Sequence, residues 1–239
     1  MKKILITNDD GISSDGIIRL ANAAVKYGEV WVIAPDTERS AMSHSITLRE
    51  SIDVYPADFP IEGVHAYKCS GTPADCVRFG ILNFVKEKPD LVISGINYGY
   101  NCGSDIQYSA TVGAAMEGAT VGVLSIAFSE GATDCHPVTD AYLAPLLEEL
   151  MDRPLKKDQI WNVNFPACPL ASCKGILRDR RVAETAVYCD CYLEEQLPGG
   201  GIRLRVVGDM QKEAEEGTDF DALLHDHISI GIVNNVKEG

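Results

Sequence analysis

The chain has 239 residues, a formal net charge of −14 and a hydrophobic fraction of 46%. This hydrophobic fraction is too high for a disordered chain, and no apolar run reaches the length of a membrane span. The acidic balance argues against a protein that binds a nucleic-acid duplex, because such proteins neutralise phosphates with clustered Lys and Arg. A phosphorylated ligand would need a metal ion, a helix N-terminus or a nest of backbone amides to reverse the local field.

Eight cysteines are spread along the chain, and no pair of them has C-x-x-C spacing. The apolar stretch at residues 4–6 is too short for the core of a signal peptide. We therefore expect reduced thiols, a cytoplasmic location and no membrane partner.

The first predicted elements form a β-α-β unit. A short apolar strand ends at Thr7, helical spacing of apolar residues covers 15–27, and a continuous apolar run predicts a buried strand over 30–34. Thr72 and Pro73 suit the N-cap and the first turn of a later helix. The other predicted elements are strands at 45–54, 64–69, 90–95, 121–128, 160–165 and 228–233 and helices at about 73–86, 109–118, 138–150 and 218–224.

Strands and helices alternate steadily up to about residue 166, which predicts an α/β fold with a doubly wound, mostly parallel sheet. The pattern then changes, and Gly199-Gly200-Gly201 joins two strand-like runs as the tip of a hairpin would. We predict a single domain over residues 1–239, with a core at about 1–166 and a C-terminal part, containing the hairpin, at about 167–239.

The loop after the first strand carries two adjacent carboxylates, Asp9 and Asp10, followed by Gly11. Because adjacent carboxylates repel each other, both ionise more easily when a cation lies between them. Oxygen ligands suit a hard divalent ion such as Mg²⁺ or Mn²⁺. The alternative is an ordinary turn in which an Asp caps the next helix.

The loop after the second strand, residues 36–44, should lie beside this acid pair. Ser40 offers a hydroxyl oxygen to a hard cation, and His44 offers a general acid or base. The alternative is a solvated surface loop without a function.

A third loop, residues 94–105, has glycine at every fourth position and Asn97 and Asn101 between them. Glycine can turn its backbone amides towards an anion, and asparagine offers oxygen to a metal or an amide to a phosphate. The loop matches neither G-x-G-x-x-G nor a P-loop. Ser109 and Thr111 follow at a predicted helix N-terminus, where they could bind phosphate, cap the helix, or do both.

Five motifs, in this order along the chain, resemble those of the survival protein E (SurE) family. They are Ile4-Leu5-Ile6-Thr7-Asn8-Asp9-Asp10-Gly11; Ala34-Pro35-Asp36 with Glu38-Arg39-Ser40 and His44-Ser45-Ile46-Thr47; Ser70-Gly71-Thr72-Pro73-Ala74-Asp75-Cys76-Val77; Ser94-Gly95-Ile96-Asn97-x-Gly99-x-Asn101-x-Gly103-x-Asp105; and Tyr108-Ser109.

The resemblance implies a Rossmann-like core, an extended C-terminal hairpin arm that takes part in homodimers or homotetramers, and a metal-dependent phosphatase acting on nucleoside monophosphates. Tyr98 and Ala110 depart from it, since the family commonly has Arg and Gly there. One divalent ion, Mg²⁺ or Mn²⁺, would be held by Asp9, Asp10, Ser40 and Asn97.

We therefore expect hydrolysis of a phosphate monoester, as in a 5′-nucleotidase. The expected catalytic residues are Asp9, Asp10 and Asn97, and the expected phosphate-binding residues are Asn101, Gly103, Ser109 and Thr111.

Three other functions are alternatives to this one. One is a phosphatase with a broader phosphomonoester or polyphosphate range. Another is a magnesium-binding receiver domain of a signalling protein, which would need a phosphoacceptor Asp where this chain has residues 94–97. A dinucleotide-dependent oxidoreductase is disfavoured because the first strand ends in acids.

Overall fold

A computed structural model of the chain describes residues 1–235; residues 236–239, the end of the predicted domain, lie outside the described part. Within it, the strands are β1 (Lys2–Thr7), β2 (Gly28–Pro35), β3 (Val54–Pro56), β4 (His65–Cys69), β5 (Leu91–Tyr98), β6 (Leu124–Glu130), β7 (Gln159–Phe165), β8 (Ile176–Leu177), β9 (Tyr188–Gln196), β10 (Ile202–Met210) and β11 (Ile228–Asn234). The α-helices are α1 (Asp15–Ala24), α2 (Pro73–Phe79), α3 (Ala110–Thr120), α4 (Pro137–Leu150) and α5 (Asp219–Leu224). None of these helices is long and apolar enough to cross a membrane.

Nine strands form one sheet in the order β3-β4-β2-β1-β5-β6-β7-β11-β8. The six strands from β4 to β7 in this order run parallel to one another. At the two sides, β3 is antiparallel to β4 and β11 is antiparallel to β7. The predicted α/β fold, Rossmann-like with a doubly wound, mostly parallel sheet, is therefore confirmed.

The strand order reverses between β1 and β5, which lie side by side in the sheet. In open α/β sheets, ligands bind in the crevice outside the carboxyl ends of the strands at such a point. Asp9 lies just after β1, separated from it by Asn8, and Asn97 lies near the end of β5. The topology thus brings the first and third predicted loops to one crevice.

The core covers both faces of the sheet. Ile4 and Ile6 are fully buried in a cluster that includes side chains of α1 and α4. Leu5 points to the other face, into a cluster that includes side chains of α2 and α3. This arrangement explains why β1 reads as a continuous apolar run rather than an alternating one.

Two predicted elements are wrong in extent. The strand expected at 45–54 is reduced to β3, because the preceding segment binds a side chain instead of a neighbouring strand. The backbone amide and hydroxyl of Thr47 donate to the Asp75 carboxylate at 2.9 and 2.6 Å. The helix expected at 73–86 is α-helical to Phe79 and continues as a π-helical segment, a wider turn that apolar spacing does not distinguish.

The C-terminal hairpin is a sheet of its own, in which β9 and β10 pair antiparallel over nine residues each. Gly199 and Gly200 turn its tip at φ values of 80° and 82°, which glycine adopts without a steric penalty. The predicted hairpin is therefore confirmed.

Candidate active site

The loop after β1 is built as a tight turn that fixes its two carboxylates. The Asn8 side chain donates to the carbonyl of Gly11 at 3.0 Å and to the Ser14 hydroxyl at 2.7 Å. Gly11 adopts a φ of 95°. The backbone amide of Arg39 donates to the Asp9 carbonyl at 2.7 Å, which ties the second loop to the first. As a result, the side chain of Asp9 is buried while Asp10 is half-buried.

Burial makes both carboxylates costly to ionise. Burial is the main reason that the pKa of Asp9 rises to about 7; a hydrogen bond from Thr111 opposes the rise, and the charge of Asp10 adds to it. Burial also raises the pKa of Asp10, against a hydrogen bond from the backbone amide of Tyr98 at 3.1 Å. A cation placed at these oxygens would offset this cost.

Asn97 and Thr111 complete an oxygen cluster around Asp9. The Thr111 hydroxyl donates to Asp9 Oδ1 at 2.5 Å and lies 3.4 Å from Asn97 Oδ1. The Asn97 Nδ2 group donates to the carbonyl of Gly99 at 2.8 Å, which turns Oδ1 towards Thr111. The structure therefore brings together one residue from each of three predicted segments, after β1, at the end of β5 and at the start of α3.

Ser40 lies at the exposed side of the same region. Its hydroxyl donates to Glu38 Oε1 at 2.8 Å, so its oxygen lone pairs stay free. Ser40 and Asp10 line one cavity of about 310 Å³. The second predicted loop thus lies beside the first, as expected.

The donor set fits a hard divalent cation, because Asp9, Asp10, Ser40 and Asn97 all present oxygen. Across residues 1–235, no group of three His, Cys, Asp or Glu side chains could hold a metal ion by itself. A cation at this crevice would therefore need oxygens other than carboxylates, and Ser40 and Asn97 offer such oxygens.

The predicted phosphate residues fall into two groups. Thr111 lies at the oxygen cluster, and Ser109 caps α3, where its hydroxyl accepts from the Val112 amide at 3.0 Å. Asn101 instead donates through Nδ2 to the Ser129 hydroxyl at 2.8 Å, and the Gly103 amide donates to both Asp219 carboxylate oxygens at 3.2 Å. These last two groups thus make hydrogen bonds to residues other than the acid pair, and their contact with phosphate stays a prediction.

His44, the predicted acid or base, lies at a different cavity of about 330 Å³ along α3. Its Nε2 atom is 2.9 Å from Glu117 Oε2.

The sequence did not predict three other residues, Arg19, Glu130 and His136, which line the cavity of Asp10 and Ser40. Glu130 ends β6, so the strand-end criterion that found the other acids would have found it too if this strand had been extended beyond 121–128.

Comparisons with known proteins identify the family. The family model described as survival protein SurE matches residues 4–186. A protein named 5′-nucleotidase SurE from Thermosipho melanesiensis is 38% identical over 230 residues, covering 95% of this chain and 89% of the relative. Another protein of the same name, from Clostridium botulinum strain Loch Maree, is 40% identical over 233 residues, covering 95% of this chain and 90% of the relative.

A solved structure agrees with these matches. The crystal structure of SurE protein from Aquifex aeolicus superposes with a TM-score of 0.84 at 33% identity, covering 99% of this chain and 95% of that one. The family match includes all the loops of the candidate site described above. The chain therefore belongs to the survival protein SurE family.

Proposed function

We propose that this protein is a metal-dependent 5′-nucleotidase that hydrolyses nucleoside monophosphates to nucleoside and phosphate. The observation that carries the proposal is the cluster of Asp9, Thr111 and Asn97 oxygens at the point where the strand order reverses. Relatives 38% and 40% identical over most of the chain are named 5′-nucleotidases, so the enzyme class is a phosphoric monoester hydrolase.

Asp9, Asp10, Ser40 and Asn97 would hold one divalent ion, Mg²⁺ or Mn²⁺. When bound, such an ion supplies positive charge to a phosphate oxygen. The acid pair also limits where the substrate can bind, because its own charge repels phosphate. Asp9 is our candidate for positioning the attacking water.

The start of α3 would bind the phosphate together with the proposed cation. Thr111 contributes a hydroxyl beside Asp9, and the free amides at a helix N-terminus attract negative charge. We retain Ser109, Asn101 and Gly103 as proposed phosphate contacts. For Asn101 and Gly103 this requires their present hydrogen bonds to Ser129 and Asp219 to be exchanged or shared.

The receiver-domain alternative is not supported, because β5, the strand next to β1, carries Asn97 near its end, where a receiver would have its phosphoacceptor Asp. A broader phosphomonoester or polyphosphate range remains compatible with the same site. A cytoplasmic location stays a prediction, supported by eight free thiols.

We also propose that the protein forms a homodimer or homotetramer through its hairpin. Every residue of β9 is exposed, and two-stranded hairpins are at best marginally stable in water without a packed face. A second copy of the chain would supply that packing.

The test is release of inorganic phosphate from a panel of 5′- and 3′-nucleoside monophosphates, p-nitrophenyl phosphate and polyphosphate. We expect activity with Mg²⁺ or Mn²⁺, loss with EDTA and preference for a nucleoside 5′-monophosphate. Asn97→Ala should lower kcat about 10²–10³-fold, the range for loss of one electrostatic group. Asp58→Asn, at an exposed loop position, is the control. Full activity in EDTA would refute the metal dependence.

A further inference from the structure

The cavity beside Asp10 and Ser40 contains a histidine to which the proposed mechanism gives no role. His136 lines this cavity together with Tyr98 and Glu130. Hydrolysis of a nucleoside monophosphate expels a ribose alkoxide, a strong base that leaves slowly unless it receives a proton. The four proposed metal ligands would use their oxygen lone pairs on the cation, so the proposed mechanism assigns no group to protonate the leaving oxygen.

Glu130 holds the imidazole in place. Glu130 is 2% exposed at the end of β6, and its Oε2 atom lies 3.2 Å from His136 Nδ1. Arg19, on α1, contacts Glu130 through both terminal nitrogens. With Nδ1 beside Glu130, Nε2 lies on the far side of the ring. Within residues 1–235, no hydrogen bond or ion pair uses that Nε2 atom.

Aromatic and charged side chains from several elements surround His136. The Tyr98 ring meets the imidazole edge-on at a centroid distance of 6.3 Å. Arg19 also pairs with Asp15 at 2.5 Å and with Asp140, in the first turn of the helix that follows His136, at 3.2 Å. Asp10 and Glu38 line the remaining wall. The ring is thus fixed by Glu130 and Tyr98, while the Glu130 charge is neutralised by Arg19.

We propose that His136 is the general acid that protonates the leaving oxygen of the nucleoside, with Glu130 and Arg19 as positioning residues. The inference rests on the proposed nucleotidase function. A water oxygen forms the new bond to phosphorus as the bond from phosphorus to the ester oxygen breaks. The ester oxygen takes the proton from Nε2, one proton of the water passes to solvent, and His136 regains a proton from solvent.

His44 is less suited to this role. Its Nε2 atom is already 2.9 Å from Glu117, and it lines the other cavity, away from Asp10 and Ser40. The two histidines therefore give opposite predictions for the same experiment.

The experiment compares a substrate that needs an acid with one that does not. A nucleoside 5′-monophosphate expels a basic alkoxide, whereas p-nitrophenyl phosphate expels a weakly basic phenolate. For His136→Ala and His136→Gln we expect kcat to fall about 10²-fold with the nucleotide, the size of a general-acid contribution, and only a few-fold with p-nitrophenyl phosphate. Activity on the aryl ester also shows that the variant is folded.

His65→Ala is the matched control, because His65 also lies 3.2 Å from a glutamate, Glu29, but at the start of β4. It should change neither activity. Glu130→Gln should show the same split between substrates to a smaller extent, and adding it to His136→Ala should cause little further loss.

An equal loss on both esters, no loss, or a selective loss in His44→Ala instead would overturn the proposal. A wild-type enzyme that hydrolyses neither ester would instead refute the proposed function itself, and this inference with it.

Discussion

At the scale of single residues, Asp9 carries the largest electrostatic cost of the site. It is 3% exposed and next to a second carboxylate, yet the fold holds it through the Thr111 hydroxyl and the Arg39 amide. Burying a charge without a compensating partner is destabilising. Such a group is kept where its function, here the proposed binding of a cation, outweighs the stability that it removes.

Asp9 lowers the stability of the folded protein more as the pH rises, because folding raises its pKa. The pKa rises from 3.8 to about 7 in the folded, metal-free protein, so this state binds the proton more tightly than the unfolded chain does. The cost of ionising Asp9 is absent below pH 3.8, grows between pH 3.8 and 7, and is complete above about 7. Asp9→Asn should therefore raise the melting temperature in EDTA at pH 8 and much less at pH 5.

The expected gain at pH 8 is at least a few degrees, since each 1 kcal/mol of cost removed changes Tm by roughly 2–4 °C in a protein of this size. Added Mn²⁺ should raise Tm of the wild type and leave Asp9→Asn unchanged, as measured by scanning calorimetry. Asp58→Asn, at the exposed position, should behave like the wild type throughout. If Asp9→Asn is less stable at pH 8 than at pH 5 relative to the wild type, the assigned cost of burial is wrong.

The sequence predicted the oxygen cluster but not its neighbours. Asp9 and Asn97 were found because each follows an apolar run, and parallel strands place their ends together. Glu130 was missed because the predicted strand stopped at residue 128, two residues before it. His136 was missed because its contact with Glu130 depends on how the start of α4 packs against β6, which no local pattern encodes. The partners of Gly103 could not be predicted for the same reason, since Asp219 is 116 residues away.

At the scale of elements, the packing of α1 against β5 positions the site. A Cβ atom added at Gly16 would lie 2.1 Å from the carbonyl oxygen of Ile96, the residue before Asn97. The helix therefore approaches the strand as closely as its backbone permits. The apolar spacing of α1 was visible in the sequence, but this contact was not, because a glycine at the second position of a helix has no distinctive pattern.

Gly16→Ala should destabilise the protein. Alanine favours a helix over glycine by about 1 kcal/mol, but the clash involves backbone and forces α1 away from β5, at a cost of about 1–3 kcal/mol or more. Because Ile96 precedes Asn97, Mn²⁺ affinity measured by calorimetric titration should fall as well. Gly201→Ala is the control, since its Cβ would meet Leu197 at an ordinary 3.5 Å. Equal urea midpoints for the two variants would contradict the argument.

At the scale of the whole molecule, the hairpin has two unlike faces. Residues alternate between faces along each strand, and the register pairs Leu204 with Glu194 and Val206 with Tyr192. One face therefore gathers exposed apolar side chains, namely Tyr188, Tyr192, Ile202, Leu204, Val206 and Met210. The other face carries an ion pair between Glu195 and Arg203 at 3.0 Å. The glycine run predicted the hairpin, but only the register shows which face is apolar.

An exposed apolar face of this kind marks an interaction surface, and a second copy of the chain is the partner we propose. Leu204→Glu places a charge on the apolar face and should lower the average mass in sedimentation equilibrium towards one chain. Leu193→Glu makes the same change on the opposite face, where Leu193 is also exposed, and should leave the mass unchanged. Because the hairpin is a separate sheet, far-UV circular dichroism of both variants should match the wild type. A wild type that is monomeric at tens of micromolar, or equal dissociation of both variants, would show that the apolar face does not join copies of this chain.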